Sequence, residues 1–496
     1  MNLLKRFFDL FKSKSESEAY ALKKILIGAG EGIKPLDKSN VVEPSDVCII
    51  QKPEQVHIVK EEDIEIIIGF DFGTSCSKVI LRDAQRNISY AVDFRKYGHK
   101  TNTYLLPTRL FLKKENTFDL QDGDILFRDI KINLIDCPSD IIMSDLTNTD
   151  VAIAYFCCAF KQIRKWFYDI KGDIYLKNNI IWQINVGIPA RDYSDDKLVM
   201  LFRYVALLGW ELSLDNDEVK ISKIHQLISK VPDINNREEG LLSIHPEDIY
   251  AIPEIIAAIV GYAKSRMRKD GMYFLMDVGA STVDVSMFNL FKRDGEIKYS
   301  ILWAELGRYG VLSQLKARLN SLPSEVKDRV ILKLNIDQCM DPLPDIFNYL
   351  SPDERRSIQD TDSIFTIELR NLIGRVVIKV KKDQNPNDSN WENGVPIFIT
   401  GGGSEIKYFQ NSILSKFSEL SNMNIRYPNI IDLPNLDDLE ISDQSLNVIK
   451  RFSSAYGLSY RESDIGTIIG AGSIEAISKY EFVVDFSDRY IDKDYM

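Results

Sequence analysis

Two short stretches of this chain combine aspartate, glycine and small hydroxyl residues at one fixed separation. Asp71, Gly73 and Ser75 in IEIIIGFDFGTSCSKVIL recur as Asp277, Gly279 and Ser281 in YFLMDVGASTVDVSMF, each 206 residues later. A glycine turn between two strands presents consecutive backbone N–H groups, a nest for anionic oxygens. Glycine lets backbone approach a phosphate with no Cβ in the way. Thr74 and Ser75 in the first turn, and Ser281 and Thr282 in the second, add hydroxyl donors, with Cys76 and Ala280 beside them. The aspartate at each strand end puts a carboxylate where phosphates and a cation would meet, since magnesium binds through one or two carboxylates, waters and substrate phosphates. Either turn alone is an ordinary hairpin whose aspartate caps local backbone. Two at a constant offset, in equivalent strand contexts, point to a duplicated domain with a cleft between its halves.

A third element, VPIFITGGGSEIKYF, runs from a buried strand into Gly401, Gly402, Gly403 and Ser404 and then into a helix. A glycine run at such a junction lets a flat or charged ligand approach the backbone and the helix N-terminus, which suits a nucleotide or a sugar. Elsewhere ILIGAGEGIK imitates a dinucleotide turn, but Ile33 stands where the last glycine of G-x-G-x-x-G belongs. The chain holds no G-x-x-x-x-G-K-[ST], so a P-loop is not supported.

The elements that must position these turns follow from periodicity. Apolar, β-branched runs flank each turn and read as two β-hairpins. The longest apolar run, VAIAYFCCAF (Val151 to Phe160), is far short of the roughly 18 residues a membrane-spanning helix needs and reads as a buried helix. At the N-terminus, Leu3, Phe7, Leu10 and Phe11 share one helical face, which suits an interfacial helix on an anionic membrane or a helix docked on protein. Residues 13 to 63 turn polar and read as a tether.

Composition narrows the class. The 496 residues are 45% apolar and 27% charged, with Lys+Arg 62 against Asp+Glu 73, a net charge of −11. A chain of this length buries about 75% of its unfolded surface and needs no metal or disulfide to hold a core. Net acidity disfavours broad nucleic-acid binding, which depends on basic residues neutralising phosphates. Six cysteines without a C-x-x-C and four histidines give no zinc spacing. The cysteines read as buried small hydrophobes in a reducing cytoplasm.

Together these motifs resemble the actin-like ATPase superfamily, most closely the nucleotide-binding domain of DnaK-type heat-shock chaperones. GFDFGTSCSKV resembles the first phosphate motif, LMDVGASTVDVSMF the second and TGGGSEI the adenosine motif. PEIIAAIVGYA and SSAYGLSY resemble the two connecting helices, and QINVGIPAR the strand ending in a Val-Pro-Ala-like turn. The resemblance runs in order from Ile64 to about Tyr480. It implies an α/β, ribonuclease H-like fold of two lobes around an ATP/ADP and Mg²⁺ cleft. It further implies that Asp71 and Asp277 hold the metal, that Thr74, Ser75 and the Gly279–Thr282 turn grip the phosphates, and that Thr282 and Asp284 border the γ-phosphate and the attacking water. Glu254 matches the water-positioning glutamate, and Lys131, 60 residues beyond Asp71, matches the catalytic lysine.

Departures qualify what carries over. Glu405 stands where the family has an adenine-packing arginine, the adenosine helix has no clear match although Lys327 and Arg329 fall in its region, and Ile255 replaces a proline. Only 36 residues follow Tyr460, so no peptide-binding domain is expected. The expected division is a helix and tether over 1–63, lobe I over 64–262, lobe II over 263–452, and a return to lobe I with a tail over 453–496. The expected function is a cytoplasmic Mg²⁺-dependent ATPase acting as a nucleotide-controlled switch for a protein partner. The alternatives are a filament-forming or membrane-tethered actin-like protein contacting the inner membrane face through residues 1–14, and a small-molecule kinase of the same superfamily.

Overall fold

The apolar run after Asp63 becomes the centre of a sheet because both of its faces are covered: Ile66, Ile67 and Ile68 are wholly buried. The computed structural model describes residues 62–95, 103–234, 240, 242–334, 345–441 and 446–470, all within the unit Val59–Met496. The N-terminal helix and tether, Cys48 and Cys339, the pseudo-dinucleotide turn and the C-terminal tail lie outside these residues.

Strands β1 (Glu62–Asp71), β2 (Cys76–Asp83) and β3 (Ile88–Ala91) form an antiparallel meander, and β4 (Asn178–Ile188) and β5 (Ile249–Pro253) add to β1 in parallel. The second half repeats the plan. Strands β6 (Gly271–Val278), β7 (Val283–Arg293) and β8 (Glu296–Gly307) form the meander, and β9 (Pro396–Thr400) and β10 (Asn429–Ile430) extend β6 in parallel. The chain then returns to each sheet once, as β11 (Leu439–Glu440) beside β3 and β12 (Thr467–Ile469) beside β8, both parallel. The orders β5-β4-β1-β2-β3-β11 and β10-β9-β6-β7-β8-β12 therefore correspond strand for strand. The short strand Leu106–Pro107 also pairs with β2, and smaller sheets decorate the first half.

The two sheets and their helices form a layered α/β protein. One core lies between the first sheet and the helices Asn148–Tyr175 and Asp196–Ser213. VAIAYFCCAF sits wholly in it, as its all-round apolar character requires. Another lies beneath the second sheet against the helix Gln359–Lys379. Between the sheets, the helices Glu254–Lys264 and Leu446–Leu458 fill a third. These two helices cross at Gly457, where a Cβ would stand 1.9 Å from the Ala257 carbonyl oxygen. The second helix is fixed at its C-terminal end by the Asn185 amide, which donates to the Leu458 and Tyr460 carbonyls at 2.6 and 2.7 Å.

No helix among the described residues is long and apolar enough to cross a membrane. Cys137, Cys157 and Cys158 are free thiols, and burial pushes the Cys157 thiol up to about 12. Cys76 is buried as well, whereas Cys137 is only partly buried, which departs from the reading of the cysteines as buried small hydrophobes.

Candidate functional site

Hairpin register explains why the two aspartates end in equivalent places. Asp71 lies opposite Lys78 across β1 and β2, and Asp277 opposite Asp284 across β6 and β7, the same seven-residue spacing in each hairpin. Both turns open onto one cavity of about 510 Å³, within the range usual for small-molecule sites. Its walls include Asp71, Gly73, Thr74, Ser75 and Cys76 from the first turn, and Asp277, Gly279, Ala280 and Thr282 from the second. Lys131, Glu254 and the Gly401–Ser404 run also line it. Residues scattered over more than 330 positions thus share one chamber.

Each turn is shaped by its own backbone. The Gly73 N–H donates to the Asp71 carbonyl at 3.0 Å, and the Gly279 N–H to the Thr282 carbonyl at 2.9 Å. Among the described residues, no backbone acceptor takes the N–H groups of Thr74, Ser75, Ala280, Ser281 or Thr282. Backbone donors are otherwise almost always paired, so these two turns hold the nest property on which anion binding depends. Thr108 braces the first turn, its hydroxyl donating to the Gly73 carbonyl at 2.7 Å. The helix Val311–Asn320 braces the second: the Val311 and Leu312 N–H groups donate to the Gly279 and Ala280 carbonyls at 3.1 and 2.6 Å.

The third wall requires glycine for steric reasons. Gly401 has φ +84°, and a Cβ there would lie 2.5 Å from the Val278 carbonyl oxygen and 2.8 Å from Asp277 Oδ1. That close approach holds the Gly401–Ser404 run against the end of β6.

Charges in the cavity are paired but poised. Lys131 Nζ meets Glu254 Oε1 at 2.5 Å, with both side chains mostly buried. Gly187 backs this pair, since a Cβ there would fall 2.6 Å from Glu254 Cγ. Burial holds the Glu254 carboxyl above the usual glutamate range, Asp71 and Asp277 adding repulsion while Lys131 opposes the shift. Lys78 forms an ion pair with Asp71, and Thr400 donates to Asp277 Oδ1 at 2.7 Å. Burial likewise raises Asp277, with repulsion from Asp71 adding to it. Asp71 is buried and Asp277 partly so, and two carboxylates that repel one another favour a cation between them beyond the Lys78 already paired with Asp71. Among the described residues no three His, Cys, Asp or Glu side chains form a metal cluster, so an ion held by Asp71 and Asp277 would need water and ligand oxygens to complete its shell.

Two expected residues stand elsewhere. Ser281 does not line the cavity; its carbonyl accepts from the Gly310 N–H at 3.1 Å and the Ser313 hydroxyl at 2.7 Å. Asp284 is also behind the wall, with Oδ2 accepting the Ala190 N–H at 3.0 Å. It ties β7 to the turn after β4 and positions that turn without facing the cavity. Lys327 and Arg329 are directed to Asn320 and Glu354. The helix that does reach the cavity is Val311–Asn320, through Gln314, Leu315 and Arg318. Glu405 lines the wall with its carboxylate engaged by Lys450 at 2.8 Å, and Arg451 lies against Gly402.

Sequence reasoning missed Lys78, Arg318 and Arg451. The 206-residue offset applied backward from Asp284 lands on Lys78, a signal that was available. A scan against protein-family models finds no match to the chain, and no curated protein matches it significantly.

Proposed function

We propose that the chain binds Mg²⁺-ATP between two actin-like lobes, hydrolyses it, and acts as a nucleotide-controlled switch for a protein partner. The observation that carries this reading is the convergence of two Asp-x-Gly turns, with their uncommitted N–H groups, and a strand-end glycine run on one cavity. The strand-for-strand correspondence of the two sheets supports duplication, and the crossing of two helices between them supports a hinge.

In this account the turn N–H groups and the Thr74, Ser75 and Thr282 hydroxyls bind the phosphate chain, and Lys78 faces it from the first hairpin. Asp71 and Asp277 would hold Mg²⁺, which supplies charge neutralisation when bound. Lys131 neutralises charge developing on the γ-phosphoryl oxygens. As it turns to the phosphate, Glu254 is released to accept a hydrogen bond from the attacking water. The raised pKa of Glu254 makes its ionised form a stronger base than an exposed glutamate. Phosphoryl transfer asks for this positioning and electrostatics, not for a covalent intermediate.

The test is phosphate release from Mg²⁺-ATP by the full chain and by Lys131→Ala and Glu254→Ala. The account expects slow turnover that both substitutions reduce by about 10²-fold or more. Full activity in both variants would remove the catalytic assignment.

A further inference from the structure

Away from the nucleotide cavity, a second concavity of about 600 Å³ opens between β8 and the helix Gln359–Lys379. Trp303 and Ile378 form its apolar part; Arg375, Lys379, Lys382 and Lys416 outnumber Glu305 and Asp383 on its rim, with Arg375 paired to Glu305 at 2.7 Å and Lys379 to Asp383 at 2.9 Å. The apolar surface continues along the same helix face through Ile367 and Ile364, which are 57% and 45% exposed. Lys379 Nζ lies 5.2 Å from the Trp303 ring centroid, so the tryptophan already carries a cation on one side. In a protein of net charge −11, a tryptophan groove whose rim is net basic, four basic side chains against two acidic, is out of character.

The path of the chain indicates what covers it. Strand β12 pairs with the same edge of β8, and its last residue, Ile469, is in register with Ser300. Trp303 lies three residues farther along that strand, about 10 Å away. The β7–β8 ladder shifts register between Ile301 and Trp303, and such a bulge interrupts edge pairing and re-aims the strand. The 26 residues after Gly470 therefore start beside the groove. They carry six acidic and three basic residues, and they contain YEFVVDF, in which Tyr480, Phe482, Val484 and Phe486 alternate with Glu481 and Asp485. That is an apolar strand face with an acidic opposite edge. Tyr480 is ten residue steps beyond Gly470, enough to span about 33 Å.

We infer that the segment 480–486 of the same chain docks in the Trp303 groove, its aromatic residues against Trp303 and Ile378 and its carboxylates on the basic rim. The docking is independent of the nucleotide reading. It would tether the C-terminal tail to the second sheet and place the tail where a partner could compete for the groove.

A photo-crosslinking amino acid in place of Phe482, in the full chain, tests the contact. Mass spectrometry should find adducts on Trp303 or within residues 371–383, in monomeric protein. Adducts confined to other regions would overturn the inference, as would adducts found only in covalent dimers, which assign the groove to a second copy. Hydrogen exchange gives a second readout. Full-length protein carrying Phe482→Asp and Phe486→Asp should exchange residues 371–383 several-fold faster than wild type, and unchanged exchange would also overturn it. Lys379→Glu with Lys382→Glu should lower the crosslinking yield several-fold; an unchanged yield would contradict the role of the basic rim.

Discussion

Lys131 and Glu254, 123 positions apart, meet at 2.5 Å inside the cavity that both Asp-x-Gly turns share. The lysine comes from a short helix in the first half, the glutamate from the first residue of a helix packed between the two sheets. Their contact joins the cavity to the helix Glu254–Lys264.

Gly187 should report on that pair. A methyl group there would occupy the space of Glu254 Cγ. Gly187→Ala should therefore displace Glu254 and lower hydrolysis by about 10²-fold, as the loss of a positioned base does, while nucleotide affinity changes little. Titration calorimetry alongside a phosphate-release assay separates the two effects. Wild-type turnover in Gly187→Ala would show that Glu254 has no catalytic part.

The pH dependence has a fixed sign. Burial raises the Glu254 pKa, and a base acts only when ionised, so turnover should rise with pH through an ionisation above the ordinary glutamate range. Folding responds in the opposite sense. An acid whose folded pKa exceeds its unfolded value stabilises the fold fully below the unfolded value and loses that contribution as pH rises through the folded one. Glu254→Gln should remove both dependences, measured as a pH–rate profile and as denaturant midpoints against pH. A profile that keeps its acid limb in Glu254→Gln would assign that limb to another group.

Two ion pairs link the segment around the Lys131 helix, Ile130–Asp136, to the segment around the helix Val311–Asn320. Arg308 pairs with Asp136, and Lys316 with Asp129 at 3.5 Å, all four side chains being substantially exposed. Exposed pairs are worth about 1 kcal/mol or less, so Arg308→Glu with Lys316→Glu should speed nucleotide release by no more than about 25-fold, less so at high salt. Restoring one pair with Asp136→Lys should recover part of the wild-type rate in stopped-flow release of a fluorescent nucleotide. Release unaffected by charge or salt would show that the pairs do not restrain opening.

The helix crossing makes a stability prediction. Gly457→Ala must separate two backbones and should cost about 3 kcal/mol in chemical denaturation. Gly172, in the helix Asn148–Tyr175, has open space around its Cβ position, so Gly172→Ala should be neutral or stabilising by up to about 1 kcal/mol. Equal effects would show that the helices do not cross as described.

Much of the layout could be read from residue order because the repeat is local: an apolar strand, Asp-x-Gly, and a second strand settle both hairpins. Lys131 and Glu254 required a resemblance to find, and their contact lies in tertiary structure alone. Asp284 shows the limit of motif reading. Its place opposite Asp277 follows from register, but its Oδ2 accepts the Ala190 N–H of a distant turn, a contact no motif carries. Arg318 was hidden because helix rotation decides which of its residues reach the cavity. Strands β11 and β12, of two and three residues, are too short to carry periodicity.

The central claim is that the cavity binds a nucleoside triphosphate together with magnesium. Titration calorimetry of ATP into the full chain, with Mg²⁺ and with chelator, tests it most directly when repeated on Asp277→Asn. The account predicts one site per chain whose affinity falls at least tenfold without Mg²⁺ and by a similar factor in Asp277→Asn. No binding, or affinity indifferent to both the metal and Asp277, would contradict it.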